Sequence, residues 1–161
     1  MAKRIRYIAE EEKINLNNEA VRAIIEFSEG DLRRAINLLQ TSAVYNNDNN
    51  ISYQTVINIV GQTDPKQIQI MLNKALGGEF IDARERLYDI MIRQGISGLD
   101  IIKQIHRELY KIPNLSTTEK AELVRIVGEY DFRISEGAND DIQLSALLAQ
   151  LVKFGRNRMS K

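Results

Sequence analysis

Apolar residues along this chain return every three or four positions and show no sustained alternation. In RIRYIAEEEK, Ile5, Ile8 and Ala9 sit at i, i+3, i+4 with charges between them, the spacing of one face of an α-helix. Val21, Ile24 and Ile25 make the next stripe, and Asn17 ahead of it suits a helix N-cap. Gly30 stops that helix, because a Gly just past a periodic run takes the left-handed conformation a helix end favours. Asp31 then caps a third helix within SEGDLRRAINLLQ, with Leu32, Ala35, Ile36 and Leu39 as its expected buried face and a run on towards Tyr45. The polar run NNDNN, Asn46 to Asn50, reads as a loop. Ser52 caps a fourth helix carrying Val56, Ile57 and Val60, which Gly61 closes.

Gln62-Thr63-Asp64-Pro65 is a break and a restart, since Pro suits the first helical position and Thr63 or Asp64 the cap. A domain boundary is placed there. Beyond it, helices are expected near 65–76, 80–94 and 98–110, punctuated by Gly77-Gly78 and Gly95. Ser97 with Asp100, and Ser116 with Glu119, have the spacing of capping boxes. The second opens a longer helix with Leu123, Ile126, Val127 and Tyr130, interrupted at Gly137. The last helix, near 140–155, carries Leu144, Leu147, Leu148 and Leu151, a stripe heavier than one small bundle needs. Its surplus is expected to face a neighbouring subunit. With no alternating segment and no Asn-Gly or Asp-Gly hairpin signal, the fold class is all-α, in two small helical units, 1–61 and 64–161. No helix pair repeats at a fixed period, which argues against a solenoid.

Composition narrows the chemistry. Of 161 residues, 43% are hydrophobic and 27% charged, with 9 Gly and 2 Pro, a balance that folds. Lys plus Arg total 22 and Asp plus Glu total 22, so no global basic field marks a nucleic-acid surface. Without Cys and with one His, His106, thiolate and multi-histidine metal sites are excluded, and no metal site is expected. No phosphate-loop, nucleophile-elbow or H-E-x-x-H motif is present, so no catalytic residue is assigned. Glu10-Glu11-Glu12 and Asp140-Asp141 read as solvated helix faces. No apolar run reaches the roughly 20 residues of a membrane span, and MAKRIRYIAEEEK lacks the apolar core of a signal peptide. The expectation is a cytoplasmic protein with no membrane contact. The immediate helical start after Met-Ala fits a piece of a longer chain. The basic tail KFGRNRMSK is expected to be a disordered, solvated terminus rather than a DNA contact.

The third helix is the exception. With Asp31 as cap, Arg33 brings its charge to the positive end of the helix dipole, a placement that costs up to about 1 kcal/mol. An anion would offset it. A helix N-terminus with free N–H groups and a guanidinium suits a carboxylate or phosphate, and Arg33, Asn37 and Gln40 share the polar face. An ion pair from Arg33 to Asp31, Glu29 or a neighbouring helix is the commoner arrangement, worth about 0 to 1 kcal/mol. The residues alone leave both open.

SEGDLRRAINLLQ resembles the sensor-2 helix of the AAA+ ATPases, in the G-D-x-R-x-A-x-N-x-L-Q form typical of clamp-loader subunits. KRIRYIAEEEKINLNNEAVRAIIEF is similar to the start of the helical lid in the small subunit of replication factor C. ALGGEFIDARERLYDIMIRQGISGLDIIKQIHRELY and GEYDFRISEGANDDIQLSALLAQL resemble that subunit's collar domain, in its archaeal form. The resemblance implies that 1–61 is the AAA+ lid and 64–161 the collar. It implies that Arg33 corresponds to the sensor-2 arginine that reaches the ATP phosphate, supported by Asp31 and Asn37. Leu144, Leu147, Leu148 and Leu151 become the candidate oligomer interface. The implied partners are other small subunits, the large subunit, the sliding clamp and primer-template DNA, with copies of this chain a further partner. ATP and Mg belong to the complete protein, because the nucleotide-binding segments lie in a domain this sequence does not contain. Two other readings follow from the same residues: a free-standing helical adaptor, and the lid of another AAA+ motor.

Overall fold

Nine α-helices form among the described residues, 1–160 of the computed structural model, and most begin where a short polar side chain takes up free backbone N–H groups. The backbone divides into two units, Met1–Gln62 and the residues from Thr63 onward.

The first unit holds α1 (Ala2–Glu11), β1 (Asn15–Leu16), α2 (Asn18–Phe27), α3 (Leu32–Asn46), β2 (Asn50–Ile51) and α4 (Tyr53–Val60). Its core gathers Ile5, Ala9, Ile24, Phe27, Ala35, Leu39, Val56 and Ile57. Small residues such as Ala20, Ala23 and Ala35 let these short helices approach closely enough to exclude water. Asn17 and Ser52 cap α2 and α4 as expected, and Ser52 completes its box with Thr55.

Three features of this unit depart from the sequence expectation. Leu32 lies in the first turn of α3 and is 41% exposed, while the buried face of that helix is Ala35, Leu39 and Ser42, with Leu38 packed beside it. Helix α2 ends at Phe27, earlier than Gly30, and both Glu29 (φ 52°) and Gly30 (φ 85°) take positive φ in the turn to α3. The Asn run is more than a loop. Asn47 and Asn49 adopt the left-handed conformation that Asn tolerates, which brings Asn50-Ile51 into parallel register with Asn15-Leu16. Asn15 Nδ2 donates to Asn50 Oδ1 at 2.8 Å. Two residues per strand are too few to show alternation.

The second unit holds α5 (Pro65–Leu76), α6 (Phe80–Tyr88), a π-helical turn (Asp89–Arg93), α7 (Gly98–Leu109), α8 (Thr117–Ser135) and α9 (Asp140–Met159). Asp64 caps α5, with Pro65 in the first turn. The expected helix near 80–94 is interrupted, because the wider π turn lets Ile90 stay in the core while Ile92 faces solvent. Ser116 and Glu119 form a full capping box. Ser97 and Asp100 form only half of one: Ser97 Oγ accepts from Asp100 N–H, but the shorter Asp carboxylate binds the Ser97 hydroxyl instead of the backbone.

Helix α9 overturns two expectations. Leu144, Leu147, Leu148 and Leu151 are 0–1% exposed and lie inside the unit's own core with Ile68, Leu72, Ile101 and Ile105. They are not a surplus face. Four helices, α5 to α8, converge on α9, and that is why its stripe is heavy. The basic tail is also helical through Met159, with Lys161 outside the described residues. Arg158 donates to Glu119 Oε1 at 3.1 Å and to the Asn114 carbonyl, tying that end to the start of α8. Gly155 is buried against the Leu76 carbonyl, where any Cβ would overlap it.

Candidate functional site

The turn Ser28-Glu29-Gly30 delivers Asp31 to the start of α3. Asp31 has extended backbone, φ −84° and ψ 112°, and its Oδ1 accepts from the N–H of Arg33 at 2.8 Å and of Arg34 at 3.1 Å. The cap therefore already occupies two of the N–H groups that an external anion would use. What remains for an anion is the side chain of Arg33. It is exposed, and among the described residues it has no hydrogen-bond or ion-pair partner.

The ion pair at this helix start is made by its neighbour. Arg34 approaches Glu29 at 3.6 Å, with side chains 56% and 73% exposed, a solvated contact worth about 0 to 1 kcal/mol. The two arginines thus divide: Arg34 leans back on Glu29, and Arg33 is left without a partner among the described residues. Asn37 and Gln40 are exposed on the following turns, and the Asn37 carbonyl accepts from Thr41 Oγ1 at 2.8 Å. The far end of α3 is anchored by Asn46, whose Nδ2 donates to the Asn50 carbonyl at 2.7 Å and to Thr55 Oγ1 at 3.1 Å. A fixed helix with an exposed guanidinium at its start can do one thing well: meet a carboxylate or phosphate brought by another surface.

The structure does not bring the remaining sequence candidates to this place. The four leucines of α9 lie in the interior of the second unit. His106 is exposed on α7 and its Nε2 meets Tyr110 Oη at 3.0 Å. Among the described residues no group of three or more His, Cys, Asp or Glu is placed to hold a metal ion, and no helix is long and apolar enough to cross a membrane. Sequence reasoning missed the buried polar side chains of α7. Gln104 bonds both backbone groups of Thr63, and Glu108, 4% exposed, accepts from Gln69 Nε2 at 2.6 Å and Lys111 Nζ at 3.0 Å. Both sit on the apolar stripe of α7, at i+3 and i+7 from Ile101. Polar residues on the buried face were the available signal.

Comparison with known proteins gives two family matches. Residues 63–150 match the replication factor C C-terminal domain, and residues 3–44 match the RCF1/5-like AAA+ ATPase lid domain. The chain is 46% identical over 156 residues to a replication factor C small subunit of Thermococcus kodakarensis, covering 97% of this chain and 18% of that protein. It is 44% identical to one from Staphylothermus marinus, covering 95% of this chain and 46% of the relative. For Methanococcus vannielii the figures are 48%, 94% and 47%. An all-α lid followed by an all-α C-terminal domain defines the class, the helical portion of an AAA+ clamp-loader protein. Within that class, the chain belongs to the replication factor C family. It spans less than half the length of these relatives.

Proposed function

We infer that this chain is the lid and collar of a clamp-loader small subunit, with 1–61 the lid and 64–161 the collar. In the complete protein, Arg33 reaches a phosphate of ATP held by a preceding nucleotide-binding domain, and so couples the nucleotide to the position of α3. Asp31 holds the helix start, and Asn37 lines the same polar face. ATP and Mg are bound by the complete protein, which loads a sliding clamp onto primer-template DNA. The collar joins other small subunits and the large subunit. The chain by itself hydrolyses no ATP, because the residues that would bind and cleave the nucleotide belong to the preceding domain.

One observation carries this reading: the Arg33 guanidinium is exposed and, among the described residues, unpaired, beside a neighbour, Arg34, that does find an acid. A surface arginine with no intramolecular role fits a partner surface carrying an oxyanion. The test compares the complete protein with its Arg33→Ala variant. DNA-stimulated ATP hydrolysis should fall at least tenfold while the melting temperature stays within about 1 °C, since an exposed, unpaired side chain contributes under about 0.5 kcal/mol. Calorimetric titration of ATP into the 161-residue chain should show no micromolar binding. Unchanged hydrolysis in the variant, or a tight ATP site in the short chain, would overturn the assignment.

A further inference from the structure

Two sets of hydrogen bonds close on the backbone from opposite sides of a single residue. On the N-terminal side, α4 ends in a Schellman arrangement. Gly61 has φ 72°; its N–H donates to the Asn58 carbonyl at 3.4 Å, and the Gln62 N–H donates to the Ile57 carbonyl at 3.2 Å. Those bonds belong wholly to the first unit and hold the chain as far as the nitrogen of Gln62.

On the C-terminal side the holding group is a side chain. Thr63 N–H donates to Gln104 Oε1 at 3.1 Å, and Gln104 Nε2 donates back to the Thr63 carbonyl at 2.9 Å. One primary amide satisfies both backbone groups, the pairing a neighbouring strand would otherwise supply. Thr63 and Gln104 are each 2% exposed, so water does not compete for these bonds. Asp64 follows at once as the cap of α5, accepting from Lys66 N–H at 2.9 Å, with Pro65 fixing the next φ. From the nitrogen of Thr63 onward, the backbone is part of the second unit.

Between these two holds lie one N–Cα bond, one Cα–C bond and one peptide plane. The plane is rigid, so the soft torsions left are φ and ψ of Gln62. We propose that Gln104 is a positioning residue that confines the junction of the two units to a one-residue pivot at Gln62. Any reorientation of the lid with nucleotide state must then be made in those two torsions, and residues 63–65 take no part in it. The link to nucleotide rests on the function proposed above, whereas the pivot stands on the hydrogen bonds alone.

The test is backbone 15N relaxation on the 161-residue chain, which contains no nucleotide and is therefore independent of the ATP experiment. In the wild-type chain Thr63 should show an order parameter of about 0.85, like the helices of its unit. Gln104→Leu, similar in size but with no polar atoms, should drop Thr63 below about 0.6 while α5 and α7 keep their values. Gln104→Glu keeps an acceptor for the Thr63 N–H but, when ionised, has no donor for its carbonyl. Protonating that carboxyl restores the donor, so acidification should recover order at Thr63 in this variant and in no other. A merely structural role for Gln104 would lower the melting temperature without that pH-reversible change. A mobile Thr63 in the wild-type chain, or an ordered one in a folded Gln104→Leu chain, would overturn the proposal. If the Leu variant does not fold, failure of the Glu variant to regain order on acidification does so instead.

Discussion

Asp31 accounts for the start of α3 more completely than any other residue, because one carboxylate oxygen takes two backbone N–H groups. Asp31→Ala frees both and should destabilise the first unit by about 1 kcal/mol, the usual loss for such a cap. Urea denaturation followed by helical circular dichroism would measure it; a change below about 0.3 kcal/mol would mean that Glu29 or water replaces the cap. This residue was legible beforehand, since Asp just ahead of a periodic apolar run is a strong local signal. Leu32 was not, because a periodic stripe does not say how far the neighbouring helices extend. Residues 31–34 are all exposed at the start of α3, so a leucine with the right spacing stays in solvent there.

Among the helices, α8 offers a measurable titration. Arg125 donates to Glu122 at 2.7 Å one turn away on an exposed face. That hydrogen bond, reinforced by the guanidinium charge, holds the Glu122 carboxyl below the usual carboxylate range. A carboxyl depressed in the folded state favours folding above its unfolded pKa, and that contribution is lost as the pH falls through the folded value. Arg125→Gln should bring the Glu122 titration, followed by 13C NMR of its carboxyl, up to the ordinary Glu range. An unmoved titration would assign the shift to some other group. Element positions were readable from capping residues and stripes, whereas the π turn after α6 was not. Leu87, Ile90 and Met91 suit an ordinary helix, and nothing in their spacing marks the wider turn at Asp89–Arg93.

At the scale of the whole chain, the leucine stripe of α9 shows what periodicity cannot distinguish. A heavy apolar face fits a subunit interface or a helix surrounded by its own neighbours equally well, and tertiary packing makes it the second. Leu148→Glu should therefore unfold the second unit, since an unpaired carboxylate in that core costs several kcal/mol. Loss of helical circular dichroism and a collapsed melting transition are expected, beyond any change of assembly state in sedimentation equilibrium. A folded variant that merely changed its mass would put the stripe back on an interface. The exposed apolar side chains of the unit include Ile81, Ile92, Phe132 and Ile142. The all-α class and the family were legible because they rest on long stretches of residues. The small parallel ladder was not, since it joins pairs 35 positions apart through only two residues on each strand.

That ladder gives the first unit a mechanical property. Because β1 and β2 run parallel, α2 and α3 together form the crossover between them, and α3 is its return leg. Its C-terminal end is tied at Asn46 to the Asn50 strand, while Arg33 stands at the other end. Fifteen residues at 1.5 Å each make a lever about 22 Å long. A tilt of about 3° at the tied end moves the arginine by about 1 Å, and a misplacement of about 1 Å is enough to cost a reacting geometry about a hundredfold. The asparagine pair at one end of α3 and the core contacts of Ala35 and Leu39 along it together hold the helix that carries Arg33.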